Sequence, residues 1–133
     1  MATIEVDALP ENLETVNDFL AEQLMGHPMK LLMQLNLVVE EIFINIANYA
    51  YKDKVGKTRI SCDMDSENHL ITIVFEDEGI PFNPLEREDP DVTASAEERE
   101  IGGLGIFLTK KMMDDVRYEN KNGTNRLTII KKL

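Results

Sequence analysis

His69-Leu70-Ile71-Thr72-Ile73-Val74-Phe75-Glu76-Asp77-Glu78-Gly79 alternates apolar and polar residues and ends on two acids and a glycine. Ile71, Ile73 and Phe75 share one face of a strand, and Asp77 continues their parity. If that face packs on helices, a carboxylate projects from the strand end into the space between the layers. A ligand buried there would meet a fixed acceptor. Upstream, Lys57 to Asp65 reads as a partner strand, joined through Ser66-Glu67-Asn68 into a hairpin.

Outward from this hairpin, Thr3 to Asp7 reads as a short first strand. Glu11 to Met25 carries Leu13, Val16, Phe19, Leu20 and Leu24 at helical spacing, with Pro10 suited to the first turn. Gly26-His27-Pro28 breaks the pattern, and His27 reads as a loop residue. A long helix follows from about Met29 to Tyr51, striped by Leu31, Leu35, Val38, Ile42, Ile46 and Tyr49. Toward the C-terminus, Val116 to Asn120 and Asn125 to Lys132 read as two closing strands, with Asn122-Gly123 favouring a tight turn. Helices over one face of a mixed, mostly antiparallel sheet are expected, an α/β (α+β) two-layer sandwich in one domain spanning 1–133. Between Ile80 and Ile101, three prolines and many acids make a segment too long and polar for an ordinary connector, read as a lid over about 80–101.

The formal net charge of -11, from 25 acidic and 14 basic residues, argues against a nucleic-acid surface, which needs clustered Lys and Arg. Apolar runs such as Leu70 to Phe75 fall far short of the ~20 residues of a membrane span. The opening residues lack the zones of a signal peptide, and a cytoplasmic protein is the expectation. The single cysteine, Cys62, alternates with Ile60 and Met64 and reads as a buried strand residue. No internal repeat is evident.

Two further stretches carry chemistry. In Val38-Val39-Glu40-Glu41-Ile42-Phe43-Ile44-Asn45-Ile46-Ala47-Asn48-Tyr49, positions 41, 45 and 48 fall on one narrow helix face at about 100° per residue. A carboxylate and two amides then border the apolar stripe, although solvation of Glu41 and loop capping by the asparagines would produce the same pattern. Ile101-Gly102-Gly103-Leu104-Gly105-Ile106-Phe107-Leu108 runs into an amphipathic segment ending near Asp115. Glycines let backbone approach an anion closely, and a helix start supplies unpaired N–H groups, an arrangement suited to phosphate.

Together these pieces resemble the GHKL ATPase family, in particular its small anti-sigma-factor serine kinases, over roughly Leu31 to the C-terminus. The helix with Glu41 and Asn45 is similar to the family's asparagine box, Asp77-Glu78-Gly79 to its first glycine box and Gly103-Leu104-Gly105 to its second. The resemblance implies a Bergerat-type ATP-binding fold, with ATP and Mg²⁺ as cofactors. It implies that Asn45 ligates Mg²⁺, that Asp77 accepts from the adenine amino group and that Gly79 lets the base approach. Asn48, Gly102, Gly103, Leu104, Gly105 and Ile106 would join the nucleotide site, with Thr128, or alternatively Thr124, in the last strand. Glu41 would be the base that takes the substrate hydroxyl proton, and Lys110 or Lys111 would be unspecific phosphate contacts. Pro81 departs from the family pattern, standing where the fuller first box has a second glycine. The implied function is an ATP-dependent kinase of an anti-sigma-factor antagonist that also holds a sigma factor, as a homodimer. The alternative is a nucleotide-gated binding module with little or no kinase activity.

Overall fold

The computed structural model describes residues 1–52, 54–86 and 103–133. Strand β1 (Ala2–Asp7) leads through a 3₁₀ turn at Pro10–Asn12 into helix α1 (Leu13–Gln23). Helix α2 (Met29–Tyr49), strands β2 (Lys57–Asp65) and β3 (Leu70–Asp77), helix α3 (Gly103–Met112) and strands β4 (Asp115–Lys121) and β5 (Thr124–Lys132) follow. Gly26, two residues past the Leu24 C-cap of α1, has φ +88°, where an L side chain would be strained.

The five strands lie in the order β1-β2-β3-β5-β4. Among the described residues all four pairings are antiparallel, where the sequence predicts a mixed, mostly antiparallel sheet. Both hairpins form where expected. Asp65 accepts from the Asn68 backbone and side chain at 3.0 and 2.8 Å, closing the first turn. Asn122 and Gly123 both take positive φ, as a two-residue hairpin turn with right-handed strand twist requires.

The core lies between the sheet and the helices. Val16, Phe19 and Leu20 of α1 and Leu35, Val38, Val39, Ile42 and Phe43 of α2 pack with Ile60, Ile71, Ile73, Phe75, Leu127 and Ile129. Asp77 and Asn125 share the parity of the inward residues of their strands and are both buried. Cys62 is buried as expected, and loss of solvent pushes its thiol up to about 11.

Two sequence expectations change at α2. Tyr49, expected on the apolar stripe, is 60% exposed and lines a cleft beside the core rather than packing in it. The helix as a whole is also long and apolar enough to cross a membrane by length and composition. Polar residues interrupt every apolar run in it, and apolar residues on both its sides raise the hydropathy averaged over the helix.

Candidate nucleotide site

At the C-terminal end of β3, Asp77 is 7% exposed and faces a cleft that α2, β3, α3, β4 and β5 all line. Its Oδ1 accepts from the Gly79 backbone N–H at 2.9 Å and from Asn125 Nδ2 at 3.0 Å. Among the described residues no donor reaches Oδ2. Two bonds on one oxygen fix the carboxylate plane and leave the other oxygen for a ligand donor. Asn45, Ile46, Phe75, Ile106, Tyr118 and Leu127 contribute to the walls, so the cleft is largely apolar with few polar groups, the composition of a small-molecule site.

Gly79 is required by its surroundings. A Cβ there would lie 2.3 Å from the Ala50 carbonyl oxygen, which also accepts from Ile80 N–H at 2.8 Å. The end of α2 and the turn after β3 therefore touch through backbone. Tyr51 fastens the same corner: its hydroxyl donates to the Lys57 carbonyl at 2.7 Å and accepts from Glu78 N–H at 2.9 Å. Burial is the largest cause raising its phenol above the usual range.

Further along α2, Asn45 Nδ2 donates to Glu41 Oε1 across a long 3.4 Å. The side-chain Oδ1 of Asn45 accepts nothing among the described residues, a hard neutral oxygen on the cleft wall. Glu41 itself lines an adjacent groove with Leu37, Glu40, Gly105 and Leu108. A Cβ on Gly105 would lie 1.8 Å from Glu41 Cδ, so this glycine makes room for the carboxylate against the first turn of α3. That turn is tied down by Thr109, whose buried hydroxyl donates to the Gly105 carbonyl at 2.9 Å. Adjacent residues of α3 thus serve both spaces, Ile106 in the cleft and Gly105 in the groove.

Asn45, Asp77, Gly79, Gly105, Ile106 and Glu41 are therefore brought together. Gly103 begins α3, the side chain of Leu104 and the whole of Gly102 lie outside the described residues, and so does most of the expected lid. Asn48 does not join the cleft: it is exposed, past the edge of the face that Asn45 shares. Thr128 does not join either. On β5 the inward parity belongs to Asn125, Leu127 and Ile129, and Thr124 and Thr128 alternate with them onto the opposite face.

The β5 residue beside Asp77 is Asn125 and not a threonine. Its Nδ2 reaches the Gly79 and Ile80 carbonyls at 3.3 and 3.1 Å as well as Asp77, while its Oδ1 accepts from Tyr118 Oη and from Asn120 Nδ2 at 3.0 Å. Parity with Leu127 and Ile129 is the sequence signal that marks it.

A sequence profile of the histidine kinase-like ATPase domain matches residues 6–131. An anti-sigma F factor from Bacillus velezensis is 29% identical over 122 residues, covering 88% of this chain and 81% of that protein. One from Clostridium novyi is 30% identical over 108 residues, covering 79% and 73%. Serine-protein kinase RsbW of Bacillus subtilis is 28% identical over 102 residues, with 74% of this chain spanning 64% of the kinase. Among solved structures, the RsbU and RsbW domains of a Mycobacterium tuberculosis protein superpose with a TM-score of 0.64 at 14% identity, covering all of this chain and 33% of that one. A histidine kinase domain from Erythrobacter litoralis gives 0.59 at 16% identity, covering 96% and 62%. These two likenesses establish the fold.

Proposed function

This chain belongs to the histidine kinase-like ATPase domain family, and from that premise we propose that it is an ATP-dependent serine-protein kinase of a partner-switching system. It phosphorylates an anti-sigma-factor antagonist and holds a sigma factor, from the cytoplasm and as a homodimer. The relatives named anti-sigma F factor and serine-protein kinase support the class. The observation that carries the chemistry is one helical ridge with two outlets: Asn45 on the cleft that holds Asp77, and Glu41 one turn earlier on the neighbouring groove.

In this reading Asp77 Oδ2 accepts from the 6-amino group of adenine, and the apolar walls enclose the base. Asn45 would hold Mg²⁺ through its side-chain Oδ1, and such an ion would supply charge neutralisation for the transfer. A single protein oxygen suits that arrangement, since Mg²⁺ bound with a nucleotide takes most of its ligands from phosphate and water. Glu41 accepts the serine proton as the serine oxygen bonds to the γ-phosphorus, and the bond from that phosphorus to the β-γ bridging oxygen breaks to release ADP. The backbone at the start of α3 faces the transferring group.

A second reading, a nucleotide-gated binding module, draws on Pro81, the departure in the first glycine box, which would alter how the following segment hinges. Incubation with γ-labelled ATP, Mg²⁺ and purified antagonist proteins separates the two. Label on an antagonist serine, abolished by EDTA, is expected. Nucleotide-dependent binding of the antagonist with no label would establish the module instead.

A further inference from the structure

Helix α2 is apolar on two sides, and only one of them is used by the core. On the other, Met29, Met33 and Leu37 follow at four-residue steps and are 67%, 61% and 60% exposed. Helices of two-layer domains ordinarily turn polar residues outward. The next two steps along the same ridge are Glu41 and Asn45, so the exposed apolar line runs without a gap into the proposed base and metal ligand. Leu108 of α3, 43% exposed, stands across the groove from Leu37.

We propose that this ridge is the docking surface for the protein acceptor, an apolar segment that lies along Met29, Met33 and Leu37 while its serine reaches Glu41. The inference rests on the kinase reading above. It assigns the occupant from position: a serine hydroxyl must come within about 2.6–3.2 Å of the base, and Leu37 and Leu108 line the same groove as Glu41. From Met29 to Glu41 the ridge rises about 18 Å, the length of a short strand or three helical turns. Methionine thioethers adapt to differently shaped apolar partners, and two of the three ridge residues are methionine. A second copy of this chain seated here would cover Glu41 and shut the acceptor out. An anionic membrane would meet Glu40, Glu41 and a chain of net charge -11.

The test is steady-state phosphorylation of purified antagonist proteins at saturating Mg-ATP by wild type, by the double variant Met29→Ser/Met33→Ser and by Val55→Ser, an exposed apolar site elsewhere. The double variant is expected to raise KM for the acceptor about tenfold, the equivalent of about 1.4 kcal/mol, with kcat within twofold, and Val55→Ser to leave KM unchanged. Should the double variant lose its native circular dichroism, Met33→Ser alone is expected to raise KM about threefold. An unchanged acceptor KM overturns the proposal. So does a dimer-to-monomer change by light scattering in the variant, which assigns the ridge to self-association, or sedimentation with phosphatidylglycerol vesicles that the variant abolishes. A wild type that labels no antagonist fails before any variant is compared, and removes the kinase reading together with this one.

Discussion

Replacing Asn125 by alanine removes a buried polar side chain that shares the inward parity of Leu127 and Ile129 on β5. Its two amide hydrogens are shared among Asp77 Oδ1, Ile80 O and Gly79 O at 3.0, 3.1 and 3.3 Å. One bond to a charged acceptor is worth about 1.5–3 kcal/mol and one to a neutral carbonyl about 0.5–1.5. The change also leaves Tyr118 Oη and Asn120 Nδ2 without their acceptor. A loss of roughly 2–4 kcal/mol follows, and for a domain of this size it should lower Tm by of order 10 °C. Freed from Asn125, Asp77 retains only the Gly79 bond on Oδ1 and no longer presents Oδ2 in one direction. ATP affinity measured by calorimetry below the transition should fall at least tenfold, or by about 1.4 kcal/mol. The fall should be much smaller for purine riboside triphosphate, which lacks the 6-amino group, because the two changes delete parts of one interaction. Equal losses for both nucleotides would reduce Asn125 to a structural role, and wild-type Tm and affinity would refute the network altogether.

Two glycines should respond oppositely to alanine. Gly79→Ala drives a Cβ into the Ala50 carbonyl, backbone that cannot step aside, and should cost several kcal/mol by overpacking, read as a large drop in Tm. Gly105→Ala meets only the mobile end of Glu41, so Tm should change little while phosphoryl transfer falls with the displaced carboxylate; equal Tm losses would contradict this. Cys62, buried with its thiol raised to about 11, should resist dithiobis-nitrobenzoate at pH 8 and react at the rate of unfolding when urea is added. Rapid labelling of the native protein would show that β2 is open at Cys62.

Much of this architecture is legible in the residues because both hairpins combine strict alternation with turn chemistry, and α2 combines an uninterrupted stripe with a Gly-His-Pro break before it. Parity also locates Asp77 correctly, since one face of β3 is committed to the core. The same rule applied to β5 points to Asn125, whereas Thr128, which the family resemblance suggests, lies on the far face. Asn48 does not follow: 100° per residue brings it near Asn45 in projection, yet Asn45, Ile46 and Tyr49 line the cleft while Asn48 turns to solvent. Tyr51 and Tyr118 leave no sequence signal, because each acts through partners on other elements, 27 residues away for Glu78 in one case and across β4 and β5 in the other. The role of Gly79 is likewise invisible without the structure: it needs space beneath Ala50 rather than positive φ.

The measurement that bears most directly on the kinase assignment is single-turnover transfer from γ-labelled Mg-ATP to an antagonist serine by wild type and Glu41→Gln. The substitution keeps the side chain's size and its contact with Asn45 while removing the base. Mg-ATP affinity is expected within a few-fold of wild type, since Glu41 lines the groove and not the cleft that holds Asp77, and the transfer rate is expected to fall about 10²- to 10⁴-fold, the range of general-base assistance. Transfer by Glu41→Gln at the wild-type rate, with binding intact, would contradict the assignment of Glu41 as the base.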